Sequence, residues 1–112
     1  MTDRAAVLDA IARVVDGGDD ADEVLRAVLA ELHGHGIAYA AIRFVEGGRL
    51  VPGPSVGAGG GVAVPVRYDG DVVGELEASV PAEERPFLER VAELVAAHVL
   101  VGWDTGGEPW QP

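Results

Sequence analysis

The chain has 112 residues, enough for one domain with a single core and too few for two, and no apolar run in it approaches the ~20 residues that a bilayer span needs, so no membrane association is expected. Eight Lys and Arg stand against 19 Asp and Glu, a net charge of −11 that favours solubility, repels phosphate backbones and argues against nucleic acid as a partner. Cysteine is absent, which removes disulfides, thiol catalysis and cysteine metal sites; with no basic start leading into an apolar core, no secretory leader is expected and the location expected is cytoplasmic.

Residues 4–15 are predicted to form a first helix. Val7, Leu8, Ile11, Val14 and Val15 recur as one apolar stripe. Thr2 or Asp3 can cap its start, and Gly17-Gly18 ends it. A second helix is predicted over 20–33, with the stripe Val24, Leu25, Val28, Leu29 and Leu32. Asp20 stands three residues before Glu23, a capping box with Asp in place of Ser or Thr, and the cluster Asp19, Asp20, Asp22 and Glu23 complements the positive end of the helix. Gly34 or Gly36 stops it. A strand follows over 37–46, with Ala40, Ile42 and Phe44 on one face and Tyr39, Arg43 and Val45 on the other. Gly47-Gly48 is a tight turn into a short strand over 49–51, which Pro52, Gly53 and Pro54 end. The stretch 55–61, SVGAGGG, reads as a flexible connector.

The segment 62–80, VAVPVRYDGDVVGELEASV, reads as a β-hairpin around which the rest packs. Val72, Gly74, Leu76, Ala78 and Val80 share one parity, and Glu75, Glu77 and Ser79 take the other. Val62, Val64 and Val66 alternate in the same way with Ala63, Pro65 and Arg67. Asp69-Gly70 is the turn signal. A two-residue loop pairs Tyr68 with Asp71 and sends Val64 and Val66 to the face of Val73 and Glu75. A three-residue loop, Tyr68-Asp69-Gly70, pairs Val66 with Val72 and Val64 with Gly74 and keeps the even apolar residues together. Burial selects the second, because a one-residue slip turns every side chain over. Pro65 cannot donate to a ladder, so its strand is expected at an edge. A turn over 81–85 then leads to Pro86, which suits the first position of a last helix. That helix runs to about Val101 on the stripe Phe87, Leu88, Val91, Leu94, Val95 and His98. From Gly102 the tail, GWDTGGEPWQP, is expected to be irregular.

The order is therefore α-α-β-β-β-β-α. It predicts an α+β fold, an antiparallel four-stranded sheet with helices packed on one face, over a single domain of residues 1–101. The even positions from Ala38 to Val80 face the helices, with Ala40, Ile42, Phe44, Val64, Val66, Val72, Leu76 and Ala78 forming the sheet's half of the core.

In the segment VAVPVRYDGDVVGELEASV and the helix RPFLERVAELVAAHVL behind it, the chain resembles a GAF domain, within the wider GAF/PAS-like class. The carriers are Val64-Pro65-Val66, Gly70, Val73-Gly74-Glu75-Leu76 and Phe87 near the start of the closing helix, and AYAAIRFVEGGRLV is similar to the family's first hairpin. Glu75 stands where the family more often has an apolar residue. The resemblance covers roughly residues 20–101 and implies a ligand-sensing or dimerising signalling module. Family members usually insert helices and a strand between the two hairpins, and these roof the ligand pocket; here only 55–61 fills that space. The resemblance also implies that the sulfoxide-reducing members need cysteines, which this chain lacks.

The uncovered face carries Tyr39, Ala41, Arg43, Val45, Ala63, Arg67, Val73, Glu75 and Glu77. It is either a solvated face with cross-strand pairs from Arg43 to Glu75 or Glu77, or a docking face. The ligand-binding candidates on it are Tyr39, Arg43, Arg67, Val73, Glu75 and Glu77. His33 and His35 lack an evident third metal ligand and suit a helix end, so no metal site is expected. The run 16–23 fails the calcium-loop pattern and 57–61 lacks the Lys and Ser/Thr of a phosphate loop. Glu83 and Glu84 fit an exposed first turn, and Trp103 or Trp110 can fold back onto the helices or anchor a partner. His98 on an apolar stripe reads as a core or interface histidine. The expectation is a non-catalytic module without cofactor, a homodimer through Val7, Ile11, Leu94 and His98 that takes a small-molecule ligand or a signalling partner. The alternatives are an interaction scaffold of roadblock or profilin-like fold and a small hydrolase or isomerase using His98 with Glu75 or Glu77.

Overall fold

The apolar stripes and alternations form their elements in the predicted order. A computed structural model describes residues 4–18 and 20–105, without the side chains of 102–105. Helices α1 (Arg4–Gly17) and α2 (Ala21–Gly34) precede strands β1 (Tyr39–Glu46), β2 (Arg49–Gly57), β3 (Val62–Tyr68) and β4 (Asp71–Ala78). A 3-10 turn at Ala82–Glu84 then leads into α3 (Arg85–Thr105). Asp20 caps α2 by accepting the Asp22 N–H at 3.0 Å, which satisfies one of the orphan donors of the first turn. The Thr2 or Asp3 cap of α1, Asp19 and Trp110 lie outside the described residues, as does the Trp103 side chain.

The four strands form one antiparallel sheet in the order β2-β1-β4-β3, with the helices on one face. Ala40, Ile42, Val64, Val66, Leu76 and Ala78 supply the buried sheet layer. Leu25, Leu29 and Leu32 of α2 and Leu88, Val91, Val95 and Val99 of α3 meet them, while Val7 and Ile11 of α1 complete the core. Each of the large side chains contributes about 1.5–3 kcal/mol by leaving water.

Four expectations need correction. The second strand does not stop at Pro52: β2 continues to Gly57, and Ser55 and Val56 pair with Ala41 and Ala40. A bulge sets Gly53 and Pro54 against Ile42 alone, and because β2 is an edge strand its prolines cost no ladder bonds on the open side. The flexible connector thus shrinks to 58–61. The central hairpin uses the two-residue loop, with Asp69 at φ 55° and Gly70 at φ 88°, the primed turn that matches strand twist. Val73 is then an extra residue in β4, so Val66 pairs with Gly74 and Val64 with Leu76. The bulge restores the parity of β3 but leaves Val72 beyond it, 43 % exposed and outside the core. At the other end of the inward parity Ala38 is exposed and Ile37 is buried instead. Finally, α3 runs through Gly102 to Thr105, since one glycine weakens a helix by about 1 kcal/mol without ending it.

Gly74 sits where Val99 of α3 packs onto β4. A Cβ there would collide with the Arg43 carbonyl oxygen and come within 2.8 Å of Val99 Cγ1. No helix among the described residues is long and apolar enough to cross a membrane. Gly74→Ala should cost about 1–3 kcal/mol in urea unfolding, the price of overpacking. Leu76→Ala should cost about 2–5 kcal/mol, and Val72→Ala less than about 0.5 kcal/mol, as a surface change does. A large loss at Val72 would return it to the core and contradict the bulge.

Candidate functional site

No described helix covers the second face of the sheet, and the polar side chains of the odd positions collect there. β1 and β4 run antiparallel with Arg43 opposite Glu75 and Ala41 opposite Glu77. Arg43 therefore has one carboxylate directly across and the next two residues along the same face. Its guanidinium spans both, Nη1 donating to Glu75 Oε1 at 2.7 Å and Nη2 to Glu77 Oε1 at 2.6 Å. The second oxygen of Glu77 accepts the Gly61 N–H at 3.0 Å. Hydrogen bonding to Arg43, then to Gly61, holds the Glu77 carboxyl below its ordinary value. The bond to Glu77, with the charges of both carboxylates, raises Arg43 against a smaller opposing effect of burial. Both groups are thus held in their charged forms.

Tyr39 stands at the end of the same row. Its N–H donates to Ser79 Oγ at 2.9 Å, and its carbonyl accepts the Ser79 N–H at 2.9 Å. Between β1 and the bulged part of β2 lies a shallow hollow of 270 Å3, lined by Tyr39, Ala41, Ile42, Arg43, Pro52, Gly53 and Ser55. That is slightly below the roughly 300–1,000 Å3 of small-molecule sites, so it suits a small ligand or part of a larger one.

Of the six ligand-binding candidates, Tyr39, Arg43, Glu75 and Glu77 come together. Arg67 and Val73 do not. Arg67 lines a groove of 400 Å3 beside Arg85, Glu89 and Glu93 of α3. Val73 lines an apolar hollow of 280 Å3 with Val45, Gly47, Val72 and Leu100 near the turns. The residues that sequence reasoning missed are Pro52, Gly53 and Ser55, which it placed at a strand end and in a connector. No local alternation marks them, because the bulge puts Pro52 opposite Arg43 and Val56 opposite Ala40, on different faces of the sheet.

The interface candidates divide in the same way. Val7 and Ile11 are both 0 % exposed within the chain and have no surface to offer a second copy. The heptad-like stripe of α1 has an inner row that the core takes and an outer row, Leu8, Ala12 and Val15, that stays partly exposed. Leu94 and His98 of α3 are also only partly buried, and the Nδ1 atom of His98 is buried without a hydrogen-bond partner. The α1 and α3 starts are tied together by Arg4, whose Nε lies 2.6 Å from Glu84 Oε1 and whose guanidinium sits 5.0 Å from the Phe87 ring centroid. His98 is on the helical side of the sheet and Glu75 and Glu77 are on the other, so the alternative acid–base constellation of His98 with Glu75 or Glu77 does not form. His33 Nδ1 bonds the Ile37 carbonyl at 3.0 Å, and His35 lies 3.4 Å from Glu31, which makes both part of the α2 terminus. Among the described residues no three His, Asp or Glu side chains converge as a metal site.

The lowered pKa of Glu77 fixes a pH dependence. Its contribution to stability is complete above its ordinary value of 4.5 and is lost as the pH falls through the lower folded value. The Glu77 carboxyl resonance in NMR should titrate below 4.5, and Arg43→Met should move that titration upward. An unchanged Glu77 titration in the variant would refute the assigned cause.

No family model and no curated protein matches the sequence. Solved structures do. The GAF domain of A. aeolicus nlh2 in an inactive state matches with a TM-score of 0.74 at 15 % identity, over 88 % of this chain and 96 % of that one. The free methionine-R-sulfoxide reductase of Neisseria meningitidis, solved with its substrate, matches with a TM-score of 0.74 at 17 % identity, over 93 % and 95 %. The GAF domain of an Acinetobacter phosphoenolpyruvate-protein phosphotransferase matches with a TM-score of 0.70 at 12 % identity, over 94 % and 97 %. Helices on one face of a β2-β1-β4-β3 sheet, together with these likenesses, establish that the chain has a GAF-like fold.

Proposed function

We propose that this chain is a non-catalytic sensory or signalling module that works in the cytoplasm by association rather than by chemistry. The observation that carries the reading is the ion cluster on the open face. Arg43 bonds both Glu75 and Glu77, and Glu77 also accepts the Gly61 N–H. These groups are thus engaged with one another and not free for general acid–base work. The pKa shifts of Arg43 and Glu77 run the same way, toward the charged forms. The chain also has no cysteine, so the thiol chemistry that the family resemblance attaches to sulfoxide reduction has no residue to perform it.

Association is read as homodimerisation through the outer surfaces of α1 and α3. The partly exposed apolar residues Leu8, Ala12 and Val15 on one helix and Leu94 on the other favour this, with His98 beside them. Light scattering behind size exclusion should give twice the 11.6 kDa chain mass. Leu94→Arg should return the mass to that of one chain while the far-ultraviolet spectrum stays unchanged. A wild-type protein that is monomeric at high micromolar concentration would sink the dimer.

A second mode of association, small-ligand binding, is favoured by the hollow beside Tyr39, Arg43 and Ser55. A thermal-shift screen with nucleotides, amino acids and aromatic acids addresses it. A ligand at a hundred times its dissociation constant should stabilise the fold by about 2.7 kcal/mol. Arg43→Met should abolish the shift, and no shift with any compound would leave dimerisation as the mode.

A further inference from the structure

Residues 58–61 join β2 to β3 as a short strap across the open face. A Cβ on Gly59 would stand 3.6 Å from Tyr39 Cβ, and one on Gly60 would stand 3.3 Å from Glu77 Oε2. The strap therefore runs close to Tyr39, on the wall of the hollow, and to Glu77, at the end of the ion cluster. Its far end is pressed onto β4, where a Cβ on Gly61 would come within 2.7 Å of both the Ala78 carbonyl carbon and Ser79 Cα. With glycine at 59, 60 and 61 the strap has almost no side chains of its own to hold it down. The side-chain bond it receives is the one from Gly61 N–H to Glu77 Oε2, and the other oxygen of that carboxylate is bonded to Arg43.

We propose that Glu77 is a latch, a single carboxylate through which Arg43 sets how firmly the strap is held across the open face. The inference rests on the small-ligand reading of that face. Arg43 and Gly61 are joined by no direct bond, so their coupling runs through the orientation of one side chain. While Arg43 fixes Glu77 Oε1, Oε2 is aimed at the Gly61 N–H. When Arg43 turns to a group entering the hollow, Glu77 loses its anchor, and the strap loses its acceptor. Glu75, which also bonds Arg43 but touches no atom of the strap, is the built-in control.

Amide hydrogen exchange on the full chain, read by NMR, tests the latch. Glu77→Ala should speed exchange at the Gly61 amide on the order of tenfold, the effect of losing one hydrogen bond to a charged group. Arg43→Met should do the same, although it removes no atom that touches the strap. Glu75→Gln should leave Gly61 at the wild-type rate, and the amides of Ile42 and Leu76 should stay protected in all three variants. If Arg43→Met leaves Gly61 unchanged, the strap is held without Arg43 and the latch is wrong. If Glu75→Gln speeds it as much as Arg43→Met does, the face has merely loosened and the latch is again wrong. Neither readout depends on a ligand or on oligomeric state, so a failed latch and a failed sensory reading give different results.

Discussion

The contact between Gly74 and Val99 fixes how the two layers of this molecule meet. At that point the Val99 side chain of the last helix rests directly on the backbone of the strand, and the neighbouring carbonyl of Arg43 closes the remaining space. Along the rest of α3, Leu88, Val91 and Val95 are buried in one core with Val64, Val66 and Leu76. Interiors packed at crystal-like density do not absorb an added carbon at such a crossing without moving one layer against the other. The extra residue Val73 precedes this glycine, so the irregularity that re-aims the strand and the contact with Val99 are neighbours in the chain.

The same strand organises the opposite face. On β4, residues alternate between the helical core and the ion cluster, Gly74 and Leu76 inward, Glu75 and Glu77 outward. Any shift of β4 that made room for a side chain at Gly74 would also move both carboxylates relative to Arg43. Arg43 is in turn bound to two acceptors from one strand, which fixes its guanidinium more firmly than an isolated surface pair would. The arrangement gives a polar surface next to a small hollow. The free energy of the cluster itself is modest, because its members remain partly open to water.

Much of this was legible in the residues. The stripes of α1 and α2, the inward set Ala40, Ile42, Val64, Val66, Leu76 and Ala78, and the pairing of Arg43 with Glu75 and Glu77 all follow from periodicity. What the sequence concealed shares a physical cause: a choice between two ways of satisfying one constraint. The inward parity of β3 and β4 can be kept by a longer turn or by a bulge, and only the twist preference of Asp69-Gly70 decides for the bulge, which costs Val72 its place in the core. Prolines end a central strand but are harmless in an edge one, and the edge position of β2 is a property of the whole sheet that residues 49–57 do not encode locally. Val7 and Ile11 read as a dimer interface because a single helix offers no clue to how many neighbours within the chain will share its stripe. The open face lost Arg67 and Val73 for a related reason, since strand parity says which side a residue faces and nothing about how far along the sheet it stands.

The prolines of the two outer strands carry one more implication. Pro52 and Pro54 lie in β2, Pro65 lies in β3, and these are the two strands with a free margin. A sheet grows by offering amide protons to an incoming chain, and each margin is interrupted where a ring replaces the proton. Pairing of a second molecule along either side is hindered at these positions, which works against fibril-like stacking even though nearly half the residues are apolar.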